Sequence, residues 1–164
     1  MTETAANTPQ TGSGTAWQPL SGVRVVDFSA LLPGPAAGAI LADLGAEVIK
    51  VEPLAGEGVR HREVLSPILY AANRSKASLT IDLKHDGAAA VVAGLARWAD
   101  VALESFRPGV AARLGIDHAS LSAVNPGIIS CSVSGYGQSG PWRDAPGHDL
   151  NFLAAGGAFA FSGH

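Results

Sequence analysis

The sequence is poor in cysteine, in charge and in long apolar runs, and each shortage excludes a class of protein. Cys131 is its one cysteine, so no disulfide can form within the chain, and a cytoplasmic location fits this content. Charged residues make up 15% of the 164 residues, and the net charge of −3 argues against a nucleic-acid-binding protein. No stretch approaches the roughly 18 apolar residues that a membrane span requires. We therefore expect a globular protein that binds neither nucleic acid nor membrane.

Three local absences lead to further expectations. Residues 1–19 contain no basic residue and no apolar run, so we predict a disordered leader rather than a secretory signal. The histidines show no metal-ligand spacing, and no metal site is predicted. The strand around Cys131 carries no basic residue that would activate the thiol, so we predict a buried, unreactive cysteine.

What the sequence does contain is an alternation of short β-rich runs with helical segments. Hydrophobic residues make up 47% of the chain, and 20 glycines indicate many tight turns. Such alternation is typical of an α/β fold with a mostly parallel sheet and flanking helices. The predicted strands are 23–28, 46–51, 78–83, 99–103 and 128–133, and the predicted helices are 33–44, 84–98, 111–114, 119–124 and 149–159.

The first strand–helix–strand unit, residues 23–52, has the outline of a dinucleotide-binding site. Glu52 stands at the end of the second strand, where a ribose-binding carboxylate would lie. However, the loop at 33–38 lacks the first Gly-x-Gly pair, and Pro35 removes an amide that could meet a pyrophosphate. We therefore favour the simpler interpretation, in which small residues pack this helix closely onto the sheet.

Four short patches, in order along the chain, point to one family. They are Leu20–Pro53 with its Pro33-Gly34-Pro35 turn, Asn73–Lys84, Glu104–Ile116, and the glycine-rich loop Gly135–Pro141 followed by Gly147-His148-Asp149. Together they resemble the family III CoA-transferases, which include the α-methylacyl-CoA racemases, over residues 20–164. The resemblance implies a Rossmann-like CoA-binding domain that forms the N-terminal part of a longer protein, truncated here relative to the family. It also implies an acyl-CoA thioester substrate, no prosthetic group, and a homodimer in the full-length family.

The resemblance assigns roles to two groups of binding residues. It implies that Arg107 and Arg113 meet the phosphates of CoA, and that Asp82, Leu83 and Lys84 frame its adenine and ribose. Each cation could equally be an ordinary surface residue. The loop around Tyr136 and Gly137 could let its backbone approach the thioester, or could be a simple turn. Many relatives carry a basic residue where this chain has Pro53, and Arg60 or Arg62 is a possible substitute.

His148 is the main catalytic candidate. A histidine titrates near neutrality and can act as acid or base toward the α-proton of a thioester, and Asp149 could orient it or cap the helix. The racemase branch resembles this chain in having His followed by Asp, whereas transferases rely on a downstream aspartate that would follow His164. We therefore expect a racemase-type enzyme, incomplete as this chain. The alternatives are a CoA-transferase and a non-catalytic CoA-binding fragment, and His148 could also be a helix-capping or core residue.

Overall fold

Parallel strands form a single sheet in the computed structural model, which describes residues 17–61 and 66–161. The strands follow the order β3-β2-β1-β4-β5, and every neighbouring pair is parallel. Their bounds are Arg24–Asp27 (β1), Glu47–Glu52 (β2), Ala77–Thr80 (β3), Val101–Glu104 (β4) and Ile129–Ser132 (β5). The predicted α/β class with a parallel sheet is confirmed.

Helices cover both faces of this sheet. They are Pro33–Asp43 (α1), Ser66–Ala72 (α2), Ala88–Trp98 (α3), Val110–Arg113 (α4), His118–Ser122 (α5) and Asp149–Ala155 (α6), with 3₁₀ turns at Gly58–His61 and Ala158–Ala160. Alternate residues of the central strand point to opposite faces. Val26 therefore packs in the core formed with α3, α4 and α5, while Val25 packs with residues of α1 on the other side.

Helix α1 approaches the sheet closely because its inner residues are small. A Cβ atom on Gly34 would lie 2.3 Å from the Ser29 Cβ, and one on Gly38 would lie 2.9 Å from both Asp27 Oδ2 and Lys76 Nζ. Neither position has room for a side chain. The packing interpretation of this segment is thus the correct one, and dinucleotide binding is not needed to explain its glycines.

The third strand and the helix after it differ from the prediction. β3 ends at Thr80, and α3 begins at Ala88 rather than at Lys84. The intervening turn is built by side chains: Asp82 Oδ1 accepts from the Lys84 amide at 3.0 Å, and His85 Nδ1 accepts from the Gly87 amide at 3.1 Å. These local bonds compete with the helical pattern, so Lys84 lies in a turn.

Other differences concern short elements. Helix α2 and the 3₁₀ turn Gly58–His61 lie between the predicted strands 46–51 and 78–83, where no helix was predicted. The last predicted helix is divided, with α6 ending at Ala155 and a 3₁₀ turn following. Most of the predicted leader, residues 1–16, lies outside the described residues; Gln18 already accepts a hydrogen bond from the Ser21 amide at 3.1 Å.

The prediction of a buried Cys131 is wrong. Cys131 is exposed, because β5 lies at the edge of the sheet and shares its outward face with Ile129, which is 65% exposed. The intervening residue, Ser130, points the other way and contacts His118 at 3.1 Å. None of the described helices is long and apolar enough to cross a membrane.

Candidate functional site

The chain order of the strands reverses between β1 and β4, and two cavities of the described residues lie at this point. Ligands of open α/β sheets bind outside the carboxyl ends of the strands at such a point. Two cavities, of about 560 and 670 Å³, open here and share Ala30 and Phe106 as common lining residues. Ala30 follows β1 and Phe106 follows β4, so a ligand longer than either cavity could pass from one into the other.

The smaller cavity brings together one predicted group. Asp82, Leu83 and Lys84 all line it, and the side chains of Asp82 and Lys84 are exposed. Its walls are largely apolar, with Phe28, Ile81, Leu83, Phe106 and Leu114 among the lining residues. An apolar slot beside the exposed Lys84 ammonium suits a flat aromatic group that carries a phosphorylated sugar.

The larger cavity brings together the second predicted group. Arg107, Arg113 and Tyr136 line it, and so does Arg143, which the sequence analysis missed. A Cβ atom on Gly109 would lie 3.6 Å from Arg143 Nη2 and 4.0 Å from Arg113 Nη1, so both guanidinium groups reach this turn. Gly109 has a φ of 84°, a left-handed conformation that favours glycine.

The charges of the larger cavity favour an anion. Asp144 is paired with Arg143 at 3.2 Å, whereas neither Arg107 nor Arg113 forms an ion pair within residues 17–61 and 66–161. Both are exposed. Two unpaired guanidinium groups next to a glycine turn are suited to bidentate contacts with phosphate.

An aromatic cluster fixes the glycine-rich loop over the larger cavity. The Tyr136 ring meets the rings of Trp142 and Phe152 edge-on, and its centroid lies 5.5 Å from that of Trp142 and 5.3 Å from that of Phe152. Cβ atoms on Gly135 and Gly147 would lie 2.2 and 2.6 Å from Phe152 Cε1, so both glycines make room for this ring. Gly137 has a φ of 88° and does not line either of the two cavities, unlike Tyr136.

His148 and Asp149 lie beside the larger cavity without lining it. His148 is the N-cap of α6, its amide donates to Asn151 Oδ1 at 2.9 Å, and its side chain is exposed. Asp149 is the first helical residue rather than the cap. The neighbouring Gly147 and Phe152 do line the cavity. In the described structure His148 and Asp149 are thus near the site, on a helix that buries none of its residues.

A buried group of charged residues was not predicted as part of the site, although Lys50 and Glu57 of this group line the smaller cavity. Asp27, Lys50 and Glu57 are 0, 3 and 5% exposed. Lys50 Nζ lies 4.0 Å from Asp27 Oδ1 and 3.6 Å from Glu57 Oε2, while Lys76 Nζ lies 2.8 Å from Asp27 Oδ2. Burial lowers the pKa of the Lys76 ammonium, and the Asp27 carboxylate opposes that shift. Strand alternation alone does not reveal such partners, which are distant in sequence.

Another buried carboxylate, Glu52, binds Arg60. Arg60 Nε and Nη2 donate to the two oxygens of Glu52 at 2.7 and 2.6 Å, and Ser78 Oγ donates to Oε1 at 2.9 Å. The Arg60 hydrogen bond is the largest cause that lowers the pKa of Glu52 from 4.5 to about 2. The Arg60 guanidinium is therefore engaged by Glu52, and its predicted role as a substitute for a basic residue at Pro53 stays a prediction. Arg62 lies outside the described residues.

The family comparison places the chain among known proteins. The family model for CoA-transferase family III matches residues 20–164. The succinate–glutarate CoA-transferase of Agrobacterium fabrum is 41% identical over 157 residues, which cover 88% of this chain and 39% of that protein. The succinyl-CoA–D-citramalate CoA-transferase of Chloroflexus aurantiacus is 43% identical over 156 residues, which cover 89% of this chain and 38% of that protein.

Solved structures agree with this result. Rv3272 from Mycobacterium tuberculosis, in an orthorhombic crystal form, superposes with a TM-score of 0.81 at 40% identity, covering 90% of this chain and 41% of that one. A CAIB/BAIF family protein from Brucella suis gives the same TM-score at 36% identity, and the match covers 85% of this chain and 39% of that one. The chain thus spans about two fifths of the length of the relatives it matches.

Proposed function

Because the chain belongs to CoA-transferase family III, we propose that it forms the CoA-binding part of an enzyme that transfers CoA between carboxylic acids. The observation that carries this proposal is a pair of cavities at the strand switch point that share Ala30 and Phe106 in their linings. One cavity is an apolar slot with Lys84. The other is lined by Arg107 and Arg113, which form no ion pair with the residues that the structure describes.

The proposed ligand placement follows from these two environments. The adenine and ribose of CoA occupy the apolar slot beside Asp82, Leu83 and Lys84. The phosphates lie toward Arg107 and Arg113, since charge-assisted bonds to guanidinium groups suit phosphate oxygens. The pantetheine arm then runs along the larger cavity toward the loop at Tyr136, where the thioester is presented. No prosthetic group is required.

The proposed reaction exchanges the carboxylic acid joined to CoA. An acyl-CoA and a free carboxylate give the free acid of the first acyl group and the CoA thioester of the second, so no redox partner is needed. In this account the residues described here bind and orient the CoA thioester. Exclusion of water is important, because hydrolysis of an activated acyl group would waste the thioester.

The racemase interpretation rests on His148 and Asp149 alone. The relatives named above are CoA-transferases, and His148 lies at the rim of the larger cavity without lining it. Transferase activity is therefore the better proposal, and racemisation stays the second candidate because a histidine can serve as an α-proton base. A cytoplasmic location and a homodimer also stay predictions.

The reaction can be identified by assaying the native protein that contains this sequence. This protein is incubated with succinyl-CoA and a panel of isotopically labelled dicarboxylates, and we expect labelled CoA thioesters to form. A parallel incubation with a 2-methylacyl-CoA in heavy water should leave the α-carbon free of deuterium. Deuterium exchange that is lost in His148→Ala, with no transfer of label, would overturn the transferase proposal in favour of the racemase. CoA binding with neither reaction would favour the non-catalytic fragment.

A further inference from the structure

The loop between β1 and α1, residues 28–32, is fastened by side chains from several other segments. Lys50 donates to the Ser29 carbonyl, and Ser29 in turn donates its amide to Asp27 Oδ1 at 2.9 Å. Ser105 Oγ accepts from the Ala30 amide at 2.8 Å. Glu57 accepts from the Leu31 amide. Three successive residues of one short loop are thus each held by a different partner.

These hydrogen bonds hold Leu31 in an unusual backbone conformation. Its φ is 67°, a left-handed conformation that is unfavourable for a side chain branched like leucine. Unusual backbone conformations persist only where the surrounding structure imposes them, and they gather at functional sites. Leu31 gains nothing from burial, because its side chain is 63% exposed. It lines the larger cavity instead, with Arg107 and Arg113.

The acceptor that holds Leu31 belongs to the buried charged group. Glu57 is 5% exposed, its Oε1 receives the Leu31 amide, and its Oε2 forms no hydrogen bond within the described residues. That second oxygen faces Lys50 Nζ at 3.6 Å. Burying charges is unfavourable unless they are well paired. Holding one exposed loop with a buried carboxylate therefore carries a desolvation penalty. An apolar contact could fill the same space, but it could not bind an amide.

We propose that Glu57 is a positioning residue, which holds Leu31 in its left-handed conformation so that the leucine side chain packs against the pantetheine arm of CoA. The inference rests on the proposed function, since it assumes that CoA passes from the smaller to the larger cavity. Ala30 lies at the junction of the two cavities, and Leu31 is the next residue on the side of the larger one. The pantetheine arm is the apolar part of the ligand that would follow this path.

The test compares two ligands that differ in this arm. The 164-residue chain is titrated calorimetrically with CoA and with 3′-phospho-ADP, which has the nucleotide but no pantetheine. Leu31→Gly should weaken CoA binding about tenfold, the effect of losing a half-buried leucine contact, and should leave 3′-phospho-ADP binding unchanged. As a matched control, Leu54→Gly removes a 70% exposed loop leucine that lines the smaller cavity, and it should weaken both ligands by the same factor.

The role of Glu57 is tested through its coupling to Leu31. Glu57→Ala should reduce CoA affinity selectively, while Glu57→Gln, which keeps an acceptor for the Leu31 amide, should restore most of it. Adding Glu57→Ala to Leu31→Gly should cause little further loss, because no leucine side chain is left to position. Additive losses, or equal losses for both ligands, would overturn the inference. Leu31→Gly removes no buried charge, so an unchanged CoA affinity in that variant is decisive even where Glu57→Ala does not fold.

The same titrations distinguish failure of the positioning role of Glu57 from failure of the proposed CoA-binding function. A wild-type chain that binds neither CoA nor 3′-phospho-ADP would contradict the proposed function itself, and the positioning role with it. A wild-type chain that binds both ligands, with Leu31→Gly equal to wild type, would contradict the positioning role alone.

Discussion

Replacing Glu52 by glutamine tests the buried carboxylate that orders the loop after β2. Glu52 is 3% exposed and receives the Arg60 guanidinium at 2.6 and 2.7 Å, together with the Glu57 amide at 3.1 Å. Glutamine keeps the shape but offers one acceptor fewer and no charge. Because Glu57 lies in the same loop, this carboxylate also supports the residue that holds Leu31.

The magnitude follows from the pKa of Glu52, which falls from 4.5 to about 2. One pKa unit corresponds to about 1.4 kcal/mol, so the ionised carboxylate contributes about 3 kcal/mol to the free energy of unfolding at pH 7. A lowered carboxylate pKa gives stability that is complete above the unfolded value. It is lost as the pH falls from 4.5 toward 2, and about 2 kcal/mol should remain at pH 3.5.

Urea unfolding of the wild-type chain and of Glu52→Gln at pH 7 and pH 3.5 measures this contribution. We expect the variant to be about 3 kcal/mol less stable at pH 7, with the difference narrowing by about 1 kcal/mol at pH 3.5. A difference that stays constant between the two pH values would refute the reasoning, because it would show that charge is not the origin of the stability. Asp43→Asn, at an exposed ion pair with Arg74, is the matched control and should change little at either pH.

Two further predictions concern the edge of the larger cavity and the exposed strand. A Cβ atom on Gly147 would lie 2.6 Å from Phe152 Cε1, so Gly147→Ala should displace the aromatic cluster, reduce near-ultraviolet circular dichroism and lower the free energy of unfolding by about 1–3 kcal/mol. Gly127→Ala, whose Cβ would meet its nearest atom at 3.5 Å, should change neither quantity. Equal spectra for the two variants would contradict the packing of Phe152 against Gly147. Cys131 should react with Ellman's reagent in the native protein at pH 8, and a thiol that reacts only after unfolding would show that β5 is covered.

The central strands could be predicted from the sequence because their apolar runs leave few alternatives. β1, β2 and β4 were located to within two residues of their bounds, since strands buried on both faces read as continuous hydrophobic segments. Of the two edge strands, β5 was also located to within one residue of its bounds, whereas the end of β3 was not. β3 ends early because Asp82 and His85 build a turn, and the exposure of Cys131 depends on the position of β5 at the sheet edge, which the sequence of that strand does not state.

Asp82, Leu83, Lys84, Arg113 and Tyr136 were predicted from the family resemblance, whereas Arg107 could also be predicted from its place in the fold. Arg107 follows a strand directly, and the carboxyl ends of parallel strands meet at one edge, so its presence at the switch point could be expected. Arg143 could not, because it reaches the cavity from an irregular loop. The pairing of Lys50 with Asp27 and Glu57 was also out of reach, since it depends on how α1 and the loop after β2 pack.

The central claim, that this chain binds CoA through the cations of the larger cavity, is tested most directly by calorimetric titration with CoA. We compare the wild-type chain with Arg107→Gln/Arg113→Gln and with Arg97→Gln, an exposed cation on α3 that lines neither cavity. Losing charge-assisted phosphate contacts at about 1.5–3 kcal/mol each should weaken binding at least about a hundredfold in the double variant. Arg97→Gln should bind like wild type. Absence of CoA binding, or equal loss in both variants, would contradict the account.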